Sequence, residues 1–325
     1  MNKNDNLANN NDLFTFQVNI SAGDIAYAIV TVRQLALYHL AIPNRLLVVD
    51  CCRPQKTKLV NPEIRFPEPF FSKKVEQICA IAKQLMEEKL FTDIYYLRPG
   101  DEIFKLLSQK YLNGIIHKTH GAGATAQMSY WAAIELVKTR YIIHYDGDLF
   151  LYKENGYEWW NDAVAMMDKE PLAMFAIPRH APPSAETGEL PTFAEGTEIV
   201  TKKGYWLHNW FSTRMFLLDK DKFQRELPVV NGMVKWQLLL RKLPFRAFPL
   251  DPEIILFRRL GLEKGYRRII LQSEKAWLLH PLEKSKKFFD LLPLIIESIQ
   301  QNKVPKMQEG REDILLKAWE SFLEV

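Results

Sequence analysis

Cysteine is scarce in this chain: three in 325 residues, at Cys51, Cys52 and Cys79. An adjacent pair and one distant thiol make neither a disulfide framework nor a metal-ligand spacing. They read as buried thiols of a reducing cytoplasm, which is the expected location. Long apolar runs are also missing. No stretch approaches the roughly eighteen apolar residues of a membrane span. The polar, Asn-rich opening MNKNDNLANNND lacks the apolar centre of a signal peptide, and residues 1–12 read as a disordered tail. Charge of one sign is not concentrated either. Forty-three basic against thirty-nine acidic side chains leave a net +4, with no long Lys/Arg block. That excludes the basic face of a nucleic-acid binder, while peripheral contact with a membrane surface stays open. There is no internal repeat and no low-complexity linker.

What the chain has is apolar content, 47% of its residues. That is enough for one large α/β domain or two small ones. The first half alternates strand and helix patterns: strand 13–20, helix 22–40 with Ser21 or Asp24 as caps, and strand 45–50. A Pro-rich loop over 53–74 follows, then helix 73–90, strand 93–99, helix 101–112, a Gly-broken turn into a helix over 120–139, and strand 140–148. This order predicts a mostly parallel sheet covered by helices on both faces. The second half predicts a strand at 171–179 and a long loop over 181–204. A strand or hairpin at 205–219, short helices near 220 and 232–243, a strand at 247–257 and a closing segment at 265–281 complete it. Apolar helices over 288–300 and 312–323 end the chain.

Asp146-Gly147-Asp148 breaks an apolar run, YIIHY before it and LFLY after it. On an extended backbone, residues two apart share one face. Gly147 between them leaves room for a ligand to approach the backbone. Carboxylate oxygens suit Mg2+ or Mn2+. The carboxyl end of a parallel strand is where α/β sheets bind ligands.

With the strand–helix–strand opening that ends in VVD and the segment HGAGATAQMSYWAAIELVKT, this motif resembles the GT-A glycosyltransferases, especially the large inverting family 2. The resemblance covers residues 13–150 in order and 171–281 more loosely. It implies a Rossmann-like α/β fold with an acceptor-side lobe, and transfer of a sugar from a nucleotide-diphosphate donor, UDP-linked, to a hydroxyl. The acceptor is implied to be a glycan, a lipid-linked sugar or a small molecule. It further implies donor contacts from Asp50, His120, Gly121 and Asp146, and a divalent cation (Mn2+ or Mg2+) on Asp148, Asp146 and His280. The expected domain spans 13–281, split near 150 into donor and acceptor halves, with a helical extension over 282–325.

One departure stands out. The helix at 232–243 lacks the acid that family members use as general base. A base carboxylate must come from somewhere; Asp219, Asp251 and Glu253 lie nearby, and Asp251 and Glu253, which follow the helix and precede a strand, are favoured. A rival assignment is an NAD(P)-dependent oxidoreductase, because GAGATA (121–126) fits G-x-G-x-x-A and Asp146 follows about twenty residues later. The preceding NGIIHKTH is short and polar for a first strand. A nucleotidyltransferase would need a Gly-rich basic loop after the first strand, and a haloacid-dehalogenase-like phosphatase a Thr or Val where Phe150 stands. The aromatic stretch 205–211 suits a core, a sugar-binding face or a protein contact. The basic cluster 258–268 suits a solvated face, an anionic acceptor or a membrane surface.

Overall fold

The computed structural model describes residues 11–184, 196–241 and 251–323. The tail expected over 1–12 therefore falls almost wholly outside the described residues. A nine-stranded sheet forms the centre, in the order β3-β2-β1-β4-β9-β6-β10-β8-β7. β1 (Phe14–Ser21), β2 (Asn44–Asp50), β3 (Asp93–Leu97) and β4 (Tyr141–Asp146) are mutually parallel. Beyond them lie β9 (Met215–Asp219), β6 (Ala173–Ile177), β10 (Arg267–Leu271), β8 (Tyr205–His208) and β7 (Ile199–Lys202). Only β9 and β8 run against the common direction, so the sheet is mostly parallel. β5 (Phe150–Lys153) and β11 (Ala276–Leu279) pair separately as a two-stranded antiparallel ribbon.

Alternation along the strands builds two helix layers. Phe14, Phe16, Val18 and Ile20 of β1, with Tyr141, Ile143 and Tyr145 of β4, face α1 (Ala28–Tyr38), α2 (Phe70–Glu87) and α5 (Trp159–Lys169). Leu46 and Val48 of β2, Ile142 of β4, and Phe216 and Leu218 of β9 face the other layer. That layer holds α3 (Ile103–Leu112), α4 (Met128–Leu136), α6 (Gly232–Arg241) and α7 (Pro252–Leu256). The layered α/β architecture expected from the β/α alternation is thus present. Helix α8 (Lys286–Gln300) buries Phe288, Leu291, Leu292, Ile295, Ile296 and Ile299 at helical spacing. They join Phe150, Trp277 and Leu279 of the ribbon and Tyr27 before α1 in a third cluster. α9 (Leu316–Phe322) adds the buried Trp319.

Four local expectations need correction. Helix α1 starts at Ala28, and neither Ser21 nor Asp24 caps it. Asp24 Oδ2 instead accepts from the Ser21 backbone N–H (2.7 Å) and hydroxyl (3.0 Å), which makes the preceding segment a turn. β8 and β9 do not form a hairpin: β8 lies between β10 and β7, and β9 between β4 and β6. Within the stretch expected as a strand over 247–257, residues 247–250 lie outside the described residues. The rest is helix α7, because Pro252 at its first position presets a helical φ. The long loop expected over 181–204 contains strand β7.

His39, just past α1, is fully buried and stacks on Phe16 at 4.4 Å between ring centroids. Nδ1 lies 2.7 Å from the Leu35 carbonyl, so it carries the proton; Nε2 accepts from the Tyr145 hydroxyl at 3.2 Å. Burial pushes its pKa down to about 3, against the pull of the Leu35 hydrogen bond. An unfolded histidine takes its proton near 6.5. Between these values the unfolded chain binds the extra proton, so this contribution is complete above pH 6.5 and lost as pH falls toward 3. We expect His39→Asn to flatten the stability profile between pH 6.5 and 4.5 by about 1.4 kcal/mol per pH unit. Urea denaturation across that range measures it; parallel profiles would show that His39 titrates normally.

Candidate functional site

The carboxyl ends of β1, β2 and β4 open into a cleft of about 160 Å3. Its walls carry four acids, Asp24, Asp50, Asp146 and Asp148, with Tyr130 and Ser129 from α4. The topology explains the cleft. β1 sends its chain to β2 on one side and lies against β4 on the other, so the loops after β1 and β4 part here.

The Asp-Gly-Asp triplet is built differently from the expected extended strand. β4 ends at Asp146, and residues 147–148 form a turn, so the two carboxylates reach one cleft through that turn. Gly147 does not leave space for a ligand. A Cβ there would lie 2.8 Å from Ile20 Cγ2 and 3.2 Å from the Asn19 carbonyl oxygen. Its N–H donates to that carbonyl (3.0 Å), and its own carbonyl accepts from the Thr31 hydroxyl. The glycine is thus required for the turn to press against β1.

Asp146 accepts from the Tyr130 hydroxyl (2.7 Å) and has His144 Nε2 3.5 Å away. Burial, then the negative Asp148, raise its pKa well above the carboxylate range, against the Tyr130 bond. Behind it runs a polar row on the second face of β1. Thr15 meets Thr139 at 2.8 Å, Gln17 donates to Asn19 (2.7 Å), and the Gln17 carbonyl oxygen bonds His144 Nδ1.

Asp148 is 15% exposed, and its Oδ1 has no hydrogen-bond partner among the described residues. Lys284 Nζ donates to Oδ2 (2.7 Å) and to the Tyr27 hydroxyl (2.9 Å). His280 Nε2 is 3.7 Å from Oδ2, while its Nδ1 lies 3.3 Å from Asp313 Oδ1 and Arg214 Nη1 rests against the ring at 3.3 Å. Burial opposes the Asp148 charge, but His280 and Lys284 overcome it and hold the pKa well below the usual range.

These residues suit a shared cation. A carboxylate on one ring nitrogen orients the other toward a metal. Here Asp313 occupies the Nδ1 side, and Nε2 faces a carboxylate whose second oxygen is unpartnered. Among the described residues no three His, Cys, Asp or Glu side chains form a ready cage. Mg2+ is ordinarily held by one or two carboxylates plus ligand phosphates, without such a cage.

Asp50 and His120 meet at the other wall. Both are buried; Asp50 Oδ1 accepts the Cys52 N–H (2.9 Å), and Oδ2 lies 3.9 Å from His120 Nε2. Burial raises the Asp50 pKa and lowers that of His120, each moderated by the other's charge. Gly121 is clamped: a Cβ would lie 2.6 Å from Thr125 Oγ1 and 2.7 Å from Asp251 Oδ1. Asp251 is occupied by the Thr125 hydroxyl (2.8 Å), tying α7 to this turn. No strand precedes GAGATA, since residues 115–119 are irregular, and α4 begins only at Met128. The strand–turn–helix geometry of a dinucleotide fingerprint is therefore missing.

A second cavity, of about 300 Å3, lies beyond Leu149 and Arg214 and is lined by Glu253, Arg268, Glu312 and Trp210, among others. Glu253 Oε1 accepts from the Ser212 hydroxyl and the Thr213 N–H, both at 2.9 Å. The two sequence candidates for a base are thus separated: Glu253 faces this cavity, and Asp251 faces the glycine turn. Sequence reasoning missed Tyr130, Lys284 and Arg214. Lys284 stands four residues after His280, and Tyr130 lies within the Gly/Ala-rich helix segment, but no periodicity marks either. Arg214 comes from the link between β8 and β9.

No family model matches the chain, and no curated protein matches it. Among solved structures, the galactosyltransferase LgtC in complex with donor and acceptor sugar analogs is similar, with 10% identity and a TM-score of 0.37. The match covers 90% of this chain and 98% of that one. An active-site mutant of LgtC matches over the same shares, with 10% identity and a TM-score of 0.40.

Gly147→Ala should cost about 1–3 kcal/mol, since the new methyl must displace Ile20 or the β1 backbone. Chemical denaturation measures it; a cost below about 0.5 kcal/mol, the usual range of a neutral surface change, would mean the turn yields freely.

Proposed function

We propose that the protein is a glycosyltransferase taking a sugar from a UDP-linked donor to an acceptor hydroxyl, with Mn2+ or Mg2+ held beside Asp148. The observation that carries this is the surround of Asp148: an unpartnered carboxylate oxygen, an imidazole aimed at the group, and Asp146 in the same cleft. The resemblance of the three sequence segments to GT-A enzymes agrees with it. Asp148, Asp146 and His280 are the proposed cation ligands, and the cation, when bound, neutralises charge that grows on the departing diphosphate.

The chain's own groups divide the remaining work. Asp50 and His120 bind the nucleoside end, and Asp146, oriented by Tyr130, lies toward the ribose. Lys284 exchanges its Asp148 contact for a phosphate oxygen once the donor is seated, and adds positive charge where the leaving group forms. Glu253 is the general base. With Oε1 fixed by two donors, Oε2 takes the acceptor hydroxyl proton. The acceptor oxygen bonds to the anomeric carbon, the bond from that carbon to the diphosphate oxygen breaks, and UDP leaves with the electron pair.

Isothermal titration with UDP, with and without Mn2+, tests the donor site. Binding should require the metal and weaken at least tenfold in Asp148→Ala. Metal-independent UDP binding, or NAD(H) binding without UDP binding, would sink the proposal. Glu253→Gln should keep UDP affinity while release of UDP from a UDP-sugar in the presence of acceptor falls by about 100-fold or more, the usual weight of a general base. Asp251→Asn should stay within a few-fold of wild type; the reverse pattern would transfer the role to Asp251.

A further inference from the structure

Four arginines lie in the cluster 258–268, besides Lys264, and they do not share one environment. Arg258 donates to Gln237 (2.5 Å), Arg259 pairs with Glu263 (2.7 Å) and Arg267 with Glu198 (2.7 Å). Arg268 is the exception. It sits on β10, 3% exposed, and lines the 300 Å3 cavity. Its Nε is buried without a hydrogen-bond partner, and among the described residues the guanidinium has neither a hydrogen bond nor an ion pair. Glu312 and Glu253 act on it electrostatically, but neither comes within ion-pair distance. Burial lowers its pKa only to about 10, so the group stays charged at neutral pH.

An isolated buried charge is costly and is normally paired. A guanidinium offers a planar fork that matches a carboxylate or phosphate. The cavity provides the remaining features of a sugar site. Trp210 presents an aromatic ring at its wall, Glu253 and Glu312 offer acceptors for hydroxyls, and Arg214 links it to His280 and the Asp148 cleft.

We propose that the cavity binds an acceptor sugar carrying an oxyanion, a carboxylate or a phosphate, with Arg268 as its counter-ion. The inference rests on the transferase assignment for the word acceptor; the oxyanion site itself rests on Arg268 alone. The carboxylate or phosphate pairs with Arg268, and a ring hydroxyl then faces Glu253.

The full chain, without nucleotide, is titrated with methyl β-glucuronide, glucose 6-phosphate and the neutral methyl β-glucoside. At least one acidic sugar should bind tenfold or more tightly than the neutral one, and which one distinguishes carboxylate from phosphate. Arg268→Gln should remove that preference, and Arg268→Lys should weaken it without reversing it. Equal binding of neutral and acidic sugars, or a preference that survives Arg268→Gln, overturns the inference. Should Arg268→Gln fail to fold, Glu312→Gln takes its place: loss of the neighbouring acid should raise the ratio of acidic-sugar to neutral-sugar affinity several-fold, and an unchanged ratio overturns the inference. Titration of the same wild-type sample with UDP and Mn2+ separates the two levels. UDP binding without an acid preference removes the oxyanion site alone. An acid preference without UDP binding removes the transferase assignment and leaves the site.

Discussion

Two carboxylates two residues apart, withdrawn from water in one cleft, set the terms for much of this structure. Asp146 and Asp148 repel one another, and burial makes each charge costly. The fold resolves this by giving them different surroundings. Asp146 receives a hydroxyl from Tyr130 and has its pKa raised; Asp148 receives Lys284 and His280 and has its pKa lowered. Lys284 belongs to the segment leading into α8, so the docking of that helix on the β5–β11 ribbon brings the counter-charge into place. The structural role of the third hydrophobic cluster and the electrostatics of the cleft are therefore linked.

The same cleft depends on backbone contacts made far from any titratable group. Gly147 pressed on Ile20 and Asn19 aims the turn, and the clamped Gly121 places His120 against Asp50. Asp251 contributes through Thr125 by tying α7 to the glycine turn. That position leaves Glu253, two residues on, in the neighbouring cavity. Arg214, which lines that cavity, rests against His280, which lies beside Asp148 of the cleft.

Legibility from sequence followed the reach of local pattern. β1 to β4 and α1 to α4 were visible because apolar period and breaker residues are local signals. Asp50, Asp146 and Asp148 were visible because they end apolar runs. From Asp251 onward the stretch expected as a strand is helix, because Pro252 after Asp251 starts a helix as readily as it interrupts a strand. FTFQVNI alternates apolar and polar residues, yet β1 is central and its Thr15, Gln17 and Asn19 are buried in a hydrogen-bonded row. A partner on the neighbouring strand β4, His144, makes that row intelligible.

By itself the sequence determined the β/α order, the layered sheet that follows from it, and the acids at the strand ends, because each depends on residues within a few positions of one another. Tertiary structure alone decided the environment of those acids. Lys284 meets Asp148 across 136 positions and Asp251 meets Thr125 across 126, and no period or spacing in a chain encodes such pairs. It also decided that one arginine of an ordinary basic cluster, Arg268, is buried without a counter-ion among the described residues, since burial is a property of the packed sheet and not of the run of charges in which the residue stands.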